Sequence, residues 1–189
     1  AHQSISGGFD KALERVASIG GNCLQIFSSS PRGWDLPKLL TEESVNDFLK
    51  LKQRLAVDPV YFHATYLINL AVSGRIGELS KKLLTAEMNL AAELGIKGSV
   101  IHLGSFKTGN STVLHRAVEK QKEVLINNIE TILEKTPEKT IFIIENAGNH
   151  KIGANLEEIG QIIKDLKSER VRVCLDTCHL FSTGYDLRS

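Results

Sequence analysis

Apolar residues along the chain fall into two alternating patterns, short continuous runs and longer stretches with helical spacing. The runs at 23–27, 60–62, 99–101, 140–144 and 171–175 are rich in β-branched and aromatic residues. Their near-continuous apolarity is that of parallel strands covered on both faces. Between them, apolar positions recur at steps of three, four or about seven, each set marking one buried face of an amphipathic helix. The stripes are Phe9, Leu13, Val16 and Ala17; Val45, Phe48, Leu49 and Leu55; Ile76, Leu79, Leu83, Ala86, Leu90 and Leu94; Val113, Ala117, Val124, Ile129 and Ile132; and Leu156, Ile159, Ile163 and Leu166. Gly20–Gly21, Gly95 and Pro137 stand where the first, third and fourth helices should stop. Strand ends lie roughly 30 to 45 residues apart, as βα units require. With a partial strand over residues 1–6, the pattern predicts an α/β fold of six βα units in one domain spanning residues 1–189. Such a chain is either about six of the eight units of a (β/α)8 barrel or an open doubly wound sheet. No G-x-G-x-x-G follows the first strand, which counts against the open sheet.

Charge and cysteine content narrow the function classes. Lys and Arg number 23 against 22 Asp and Glu, so any nucleic-acid contact must come from a local patch and not from a global basic field. No apolar run approaches the roughly 20 residues of a membrane span, and the first residues lack a signal peptide's pattern. A membrane partner is therefore not expected, and the expected location is cytoplasmic. Three scattered cysteines make no disulfide framework and fit a reducing compartment. With no third thiol near them, Cys174 and Cys178 read as small buried fillers and not as metal ligands.

The chemistry lies in what ends each strand. Val60–Phe62 runs into His63, Val100–Ile101 into His102, Phe142–Ile144 into Glu145, and Val173–Leu175 into Asp176, with His179 three residues on. Carboxyl ends of parallel strands form one rim of a barrel, the rim on which active sites are built. A lone His there is more often a hydrogen-bonded structural group, and Asp176 alone could simply cap a turn. The set changes the weight: four ligand-type residues at four successive strand ends arise by chance with a probability on the order of 10⁻³. Two His plus two carboxylates suit Zn²⁺, Mn²⁺ or Fe²⁺. His2 ends the first partial strand and faces the same rim, while His115 falls on a predicted helix and His150 in a Gly-Asn loop. Ser105, Lys107 and Thr108 after His102 are generic phosphate-contact types. Two loops on the rim, 28–34 and 64–70, carry Arg32, Tyr66 and Leu67, types that bind phosphate and wedge between bases. Their ordinary reading is packing, with Trp34 as a lid and Leu67, Ile68 and Leu70 beneath the next helix.

These residues together carry a family resemblance. The segments Ala1-His2-Gln3-Ser4-Ile5-Ser6-Gly7-Gly8, Arg32-Gly33-Trp34, His63-Ala64-Thr65-Tyr66-Leu67-Ile68-Asn69-Leu70-Ala71, His102-Leu103-Gly104-Ser105, Ile144-Glu145-Asn146, Cys174-Leu175-Asp176-Thr177-Cys178-His179 and Gly184-Tyr185-Asp186-Leu187-Arg188 resemble those of endonuclease IV, in this order along the whole chain. The resemblance implies a TIM barrel holding three zinc ions that hydrolyses DNA on the 5′ side of an abasic sugar in base excision repair, with Mn²⁺ as an alternative metal. It implies His63 and His102 on the first metal, Glu145 as a catalytic carboxylate bridging to a second that Asp176 also binds, and His179 on the third. It implies Arg32, Tyr66 and Leu67 as DNA-binding residues and double-stranded DNA with abasic sites as the partner. The family pattern continues with further strands and ligands, so this chain supplies full protein ligands for about one zinc, and barrel closure is left to a second chain, to self-association or to further residues. Two other readings stay open: a divalent-metal sugar isomerase or epimerase of the related barrel group, and a DNA-binding remnant without the full cluster.

Overall fold

The structure, a computed structural model, describes residues 1–106 and 114–188; of residues 114–117 it describes the backbone only. Val113, Lys107 and Thr108, and the side chains of His115 and Ala117, lie outside the described residues. In chain order the elements are α1 (Phe9–Ser18), β1 (Leu24–Phe27), α2 (Glu42–Arg54), β2 (Val60–His63), α3 (Gly74–Glu93), β3 (Gly98–Ile101), α4 (Leu114–Glu134), β4 (Ile141–Glu145), α5 (Leu156–Leu166), β5 (Val171–Cys174) and α6 (Thr177–Ser182). All strand pairs are parallel, and the sheet order is β1-β2-β3-β4-β5. A doubly wound sheet would reverse its order at a switch point. Strictly sequential order is how a (β/α)8 barrel winds, and the chain is a partial barrel of that kind.

Strand alternation separates two faces. Leu24 and Ile26, Val60 and Phe62, Ile101, Phe142 and Ile144, and Val171 join the helices in two apolar clusters. One is built with α1, α2 and the end of α3, the other with α3, α4 and α5. Phe62 and Phe142 are fully enclosed. Such side chains each contribute about 1.5–3 kcal/mol on burial, which anchors β2 and β4 to their helices. The alternate positions Phe27, His63, Glu145 and Cys174 turn to the other face, the barrel interior.

Three differences from the sequence reading have local causes. The first unit is reduced to one parallel bridge, His2 with Gln25, flanked by Gln3 N–H to Gln25 O and Gln25 N–H to Ala1 O. The ladder stops there because the carbonyls of Ser4 and Ser6 are taken by the Arg15 guanidinium and not by β1. Helix α3 buries Leu83, Leu84, Glu87, Met88 and Ala91, a face rotated from the predicted one, and leaves Ile76 exposed. Its 20 residues serve both clusters, so a single stripe does not describe it. Cys178 is exposed and Cys174 only half-buried, which corrects their reading as buried fillers. Cys178 lies on the short helix α6 beyond the sheet, and Cys174 on the interior face of β5, which among the described residues has a neighbouring strand, β4, on one side only.

Candidate metal centre

His63 and Glu145 are the last residues of β2 and β4, His102 directly follows β3, and Asp176 lies two residues past β5. Register brings them together: Phe27 pairs with His63, His63 with Val100, Ile101 with Ile144, and Glu145 with Cys174. His63 Nε2 lies 3.0 Å from Glu145 Oε2 and His102 Nε2 lies 3.3 Å from the same oxygen. The His63 and His102 rings are 5.5 Å apart, and the His102 and His179 rings 5.2 Å. All five sequence-predicted ligands thus converge. They form two triads joined through Glu145, His63–His102–Glu145 and Glu145–Asp176–His179, each with its donor atoms within 4.8 Å of one another.

Backbone carbonyls fix the ring orientations. His63 Nδ1 donates to Ala64 O at 2.7 Å and His179 Nδ1 to Asn146 O at 3.0 Å. A carbonyl only accepts, so both Nδ1 atoms carry the proton and both Nε2 atoms are left for a ligand, the arrangement that orients metal-binding imidazoles. His102 Nδ1 is the one buried side-chain polar atom among the described residues with no hydrogen-bond partner. Two nitrogens directed at one carboxylate oxygen, beside an orphaned imidazole nitrogen, fit a borderline divalent cation. Electrostatics are uneven across the pair. Burial disfavours a charged His63, but its hydrogen bonds to Glu145 and Ala64 outweigh that and raise its pKa above 6.5. Burial lowers that of His102 below 6.5; Glu145 opposes, while the His63 and His179 rings add to the lowering.

Asp176 also has a local partner. As the N-cap of α6 its Oδ1 accepts the His179 N–H at 2.8 Å, so the ordinary capping reading is also met. Sequence reasoning missed Asn146, which is 1% exposed and clamps the second triad. Its Oδ1 accepts from Asp176 N at 2.5 Å, its Nδ2 donates to Asp176 O at 3.0 Å, and its carbonyl holds His179. The available signals were its place directly after the strand-end Glu145 and within the Ile144-Glu145-Asn146 segment, neither of which indicates a partner at Asp176. Gly104, at φ +105°, lets the chain turn after His102 where a Cβ would lie 2.6 Å from the Asn69 side chain, which itself donates to Ser105 O.

The two rim loops meet. Thr65 Oγ1 and Tyr66 N both donate to Pro31 O, at 2.7 and 3.1 Å, setting Arg32 beside Tyr66 in the chain's only cross-loop pairing of these segments among the described residues. Arg32 and Tyr66 are exposed and Leu67 half-buried. The Tyr66 ring sits edge-on to His63 at 5.5 Å and to Phe27 at 5.6 Å. Ile68 and Leu70 are buried, and Trp34 packs on the core, as the packing reading expects. His2 does reach the rim, 4.7 Å from the Phe27 ring and 6.1 Å from the His63 ring, whereas His150 is exposed on its loop.

Comparison with known proteins agrees with this geometry. The family described as Xylose isomerase-like TIM barrel matches residues 13–188. A "Probable endonuclease 4" of Thermosipho melanesiensis is 38% identical over 99% of this chain and 65% of its own length. The crystal structure of endonuclease IV from Thermus thermophilus superposes with a TM-score of 0.80 at 30% identity, covering 97% of this chain and 64% of that one. A D-psicose 3-epimerase shares the fold, with a TM-score of 0.74 but 14% identity, over 97% of this chain and 63% of that one. The chain therefore spans about two thirds of the length of the relatives it matches. With its family match over residues 13–188 and its sequentially wound parallel strands, the chain belongs to the xylose isomerase-like TIM barrel family, and the sequences it resembles at 38% and 30% identity are endonuclease IV sequences.

Proposed function

We propose that this chain is the metal-bearing part of a zinc-dependent apurinic/apyrimidinic endonuclease, a phosphodiester hydrolase acting in DNA repair on the 5′ side of an abasic site. The observation that carries the reading is the convergence of two imidazole Nε2 atoms on Glu145 Oε2, with a second triad sharing that carboxylate. His63, His102 and Glu145 would hold one ion; Asp176 and His179 would begin the sets for others. When bound, zinc lowers the pKa of a coordinated water and polarises the attacked phosphate. The chain's own residues do the rest. Ala64 O and Asn146 O keep the His63 and His179 rings in the tautomer that offers Nε2, and Asn146 holds Asp176 in place. Arg32, Tyr66 and Leu67 would contact the duplex, on loops that Pro31 O ties together beside the metal centre. Filling the space of the missing base favours an abasic site, which costs least to turn outward. Double-stranded DNA with an abasic site is the partner, and a second chain, self-association or further residues complete the barrel.

The test is incubation of the purified protein with a duplex carrying one abasic-site analogue. A single nick 5′ to the analogue, abolished by EDTA and restored by zinc, is the expected result. Cleavage that survives EDTA contradicts the metal mechanism. Binding without a nick supports a DNA-binding remnant, and epimerisation of a ketose without a nick supports the sugar-isomerase reading.

A further inference from the structure

We propose that Glu87, in the middle of α3, is a positioning residue of the metal centre. Its consequence for metal binding rests on the reading above; its placement does not. Glu87 is 1% exposed, among the buried Leu83, Leu84, Met88, Leu90 and Ala91 of its own helix. A carboxylate there is disfavoured relative to a leucine unless its oxygens are satisfied, and burial pushes its pKa up against the pull of two hydroxyl donors. Each oxygen takes one donor. Ser28 Oγ donates to Oε2, and Ser99 Oγ donates to Oε1.

Ser28 stands just past β1 and Ser99 lies in β3, the strands on either side of β2. Ser28 directly follows Phe27, whose ring lies 5.3 Å from that of His63. Ser99 is in β3, three residues before His102, and Phe62, the residue before His63, pairs with it in the sheet. One side chain therefore reaches from α3 to both neighbours of the strand that ends in His63, and it does so on the helix side, behind the metal centre. This bridge fixes the relative height of the β1 and β3 ends, hence the register in which His63 and His102 meet Glu145. It also fixes the start of the 28–34 loop that carries Arg32. An apolar side chain would fill the volume at lower desolvation cost but could not bind either serine. The carboxylate's contribution is thus to placement and not to stability.

The test compares Glu87→Leu and Glu87→Gln with the unaltered protein in three readouts: thermal midpoint without metal, amide exchange at residues 28–30 and 100–103 without metal, and zinc affinity by competition with a chromophoric chelator. Glu87→Leu should keep or raise the thermal midpoint, yet accelerate exchange at those strand ends and weaken zinc binding about tenfold. Glu87→Gln, which can accept from one serine and donate to the other, should recover most of both losses. Leucine with unaltered exchange and zinc affinity overturns the proposal, as does glutamine as impaired as leucine. Should Glu87→Leu fail to fold, Ser99→Ala carries the same exchange comparison, and no acceleration there overturns it. If the unaltered protein binds no zinc, the metal-centre reading falls while the exchange comparison still decides the role of Glu87.

Discussion

His63 and His102 share one carboxylate, yet the fold treats their protons in opposite ways. For His63 the opposing effect of burial is outweighed by Glu145 and Ala64 O, so the folded pKa lies above the ordinary 6.5. Its stabilisation is complete below the unfolded value and is lost as pH rises through the folded one. For His102 burial wins, the folded pKa lies below 6.5, and the folded protein takes up this proton less readily than the unfolded chain. Stability is then lost as pH falls from 6.5 toward the folded pKa. In metal-free protein, His63→Gln should therefore reduce stability at about pH 5.5 relative to about pH 8, and His102→Gln should increase it. Urea midpoints at the two pH values check this, and equal shifts of the same sign in both variants contradict it. That these five residues come together was legible in the sequence because four of them stand at or just past strand ends, which the apolar runs locate, and His179 follows Asp176 by three residues. Asn146 and Glu87 were not, since what defines them is a partner far along the chain: Asp176 for the first, Ser28 and Ser99 for the second.

At the scale of elements, the rim that carries the ligands is separated from the end that holds the barrel together. Arg170 stands at the entry to β5 and caps the end of α4. Its Nη1 donates to Leu133 O at 2.6 Å and Thr136 O at 3.2 Å, its Nη2 to Thr136 Oγ1 at 2.8 Å, and its Nε to Thr140 O at 3.1 Å. Leu133 O belongs to the last turn of α4, where carbonyls run short of intrahelical partners, Thr136 O lies just beyond it and Thr140 O just before β4; a cation suits that helix end. Arg170→Met keeps the apolar stem and removes the donors, so it should lower stability by about 2–3 kcal/mol. Zinc stoichiometry should not change, because Arg170 and Glu145 lie at opposite ends of paired strands. Urea unfolding and metal analysis on one sample check both halves, and loss of zinc at unchanged stability contradicts the separation. The five strands were readable as short continuous apolar runs, and the five longer helices as apolar stripes of helical spacing. The short helix α6 was not: its six residues hold no stripe, and it exists through the Asp176 cap. Residues 1–6 read as a strand because propensity does not reveal that Arg15 claims their carbonyls.

At the scale of the molecule, five sequentially wound strands leave an open edge among the described residues. Residues 1–3 partly cover β1, but among the described residues β5 pairs with β4 alone. Val173 at 40% exposed, Leu175 at 55% and Phe181 at 66% stand on or beside that edge. Arg172 and Cys174 alternate with them on the interior face, where the sheet lacks a further strand among the described residues. A closed barrel has no edge, whereas an open strand with apolar neighbours is a template for pairing. The net charge of +1 provides little repulsion to prevent it. The 189-residue polypeptide, prepared alone, should therefore associate as its concentration rises, and Leu175→Ser with Phe181→Ser should shift it toward monomer. Sedimentation velocity over a concentration series measures this. Neither substitution touches a donor atom of the first triad, so zinc bound by His63, His102 and Glu145 should persist in the monomeric variant. A polypeptide that stays monomeric throughout the series would mean that water tolerates this edge, and that barrel closure need not come from self-association. Association that the two serines leave untouched would instead place the contact away from β5. Only the expected pairing of effects, monomer formation with zinc retained, ties the open edge to assembly and leaves the metal centre as a property of the single chain.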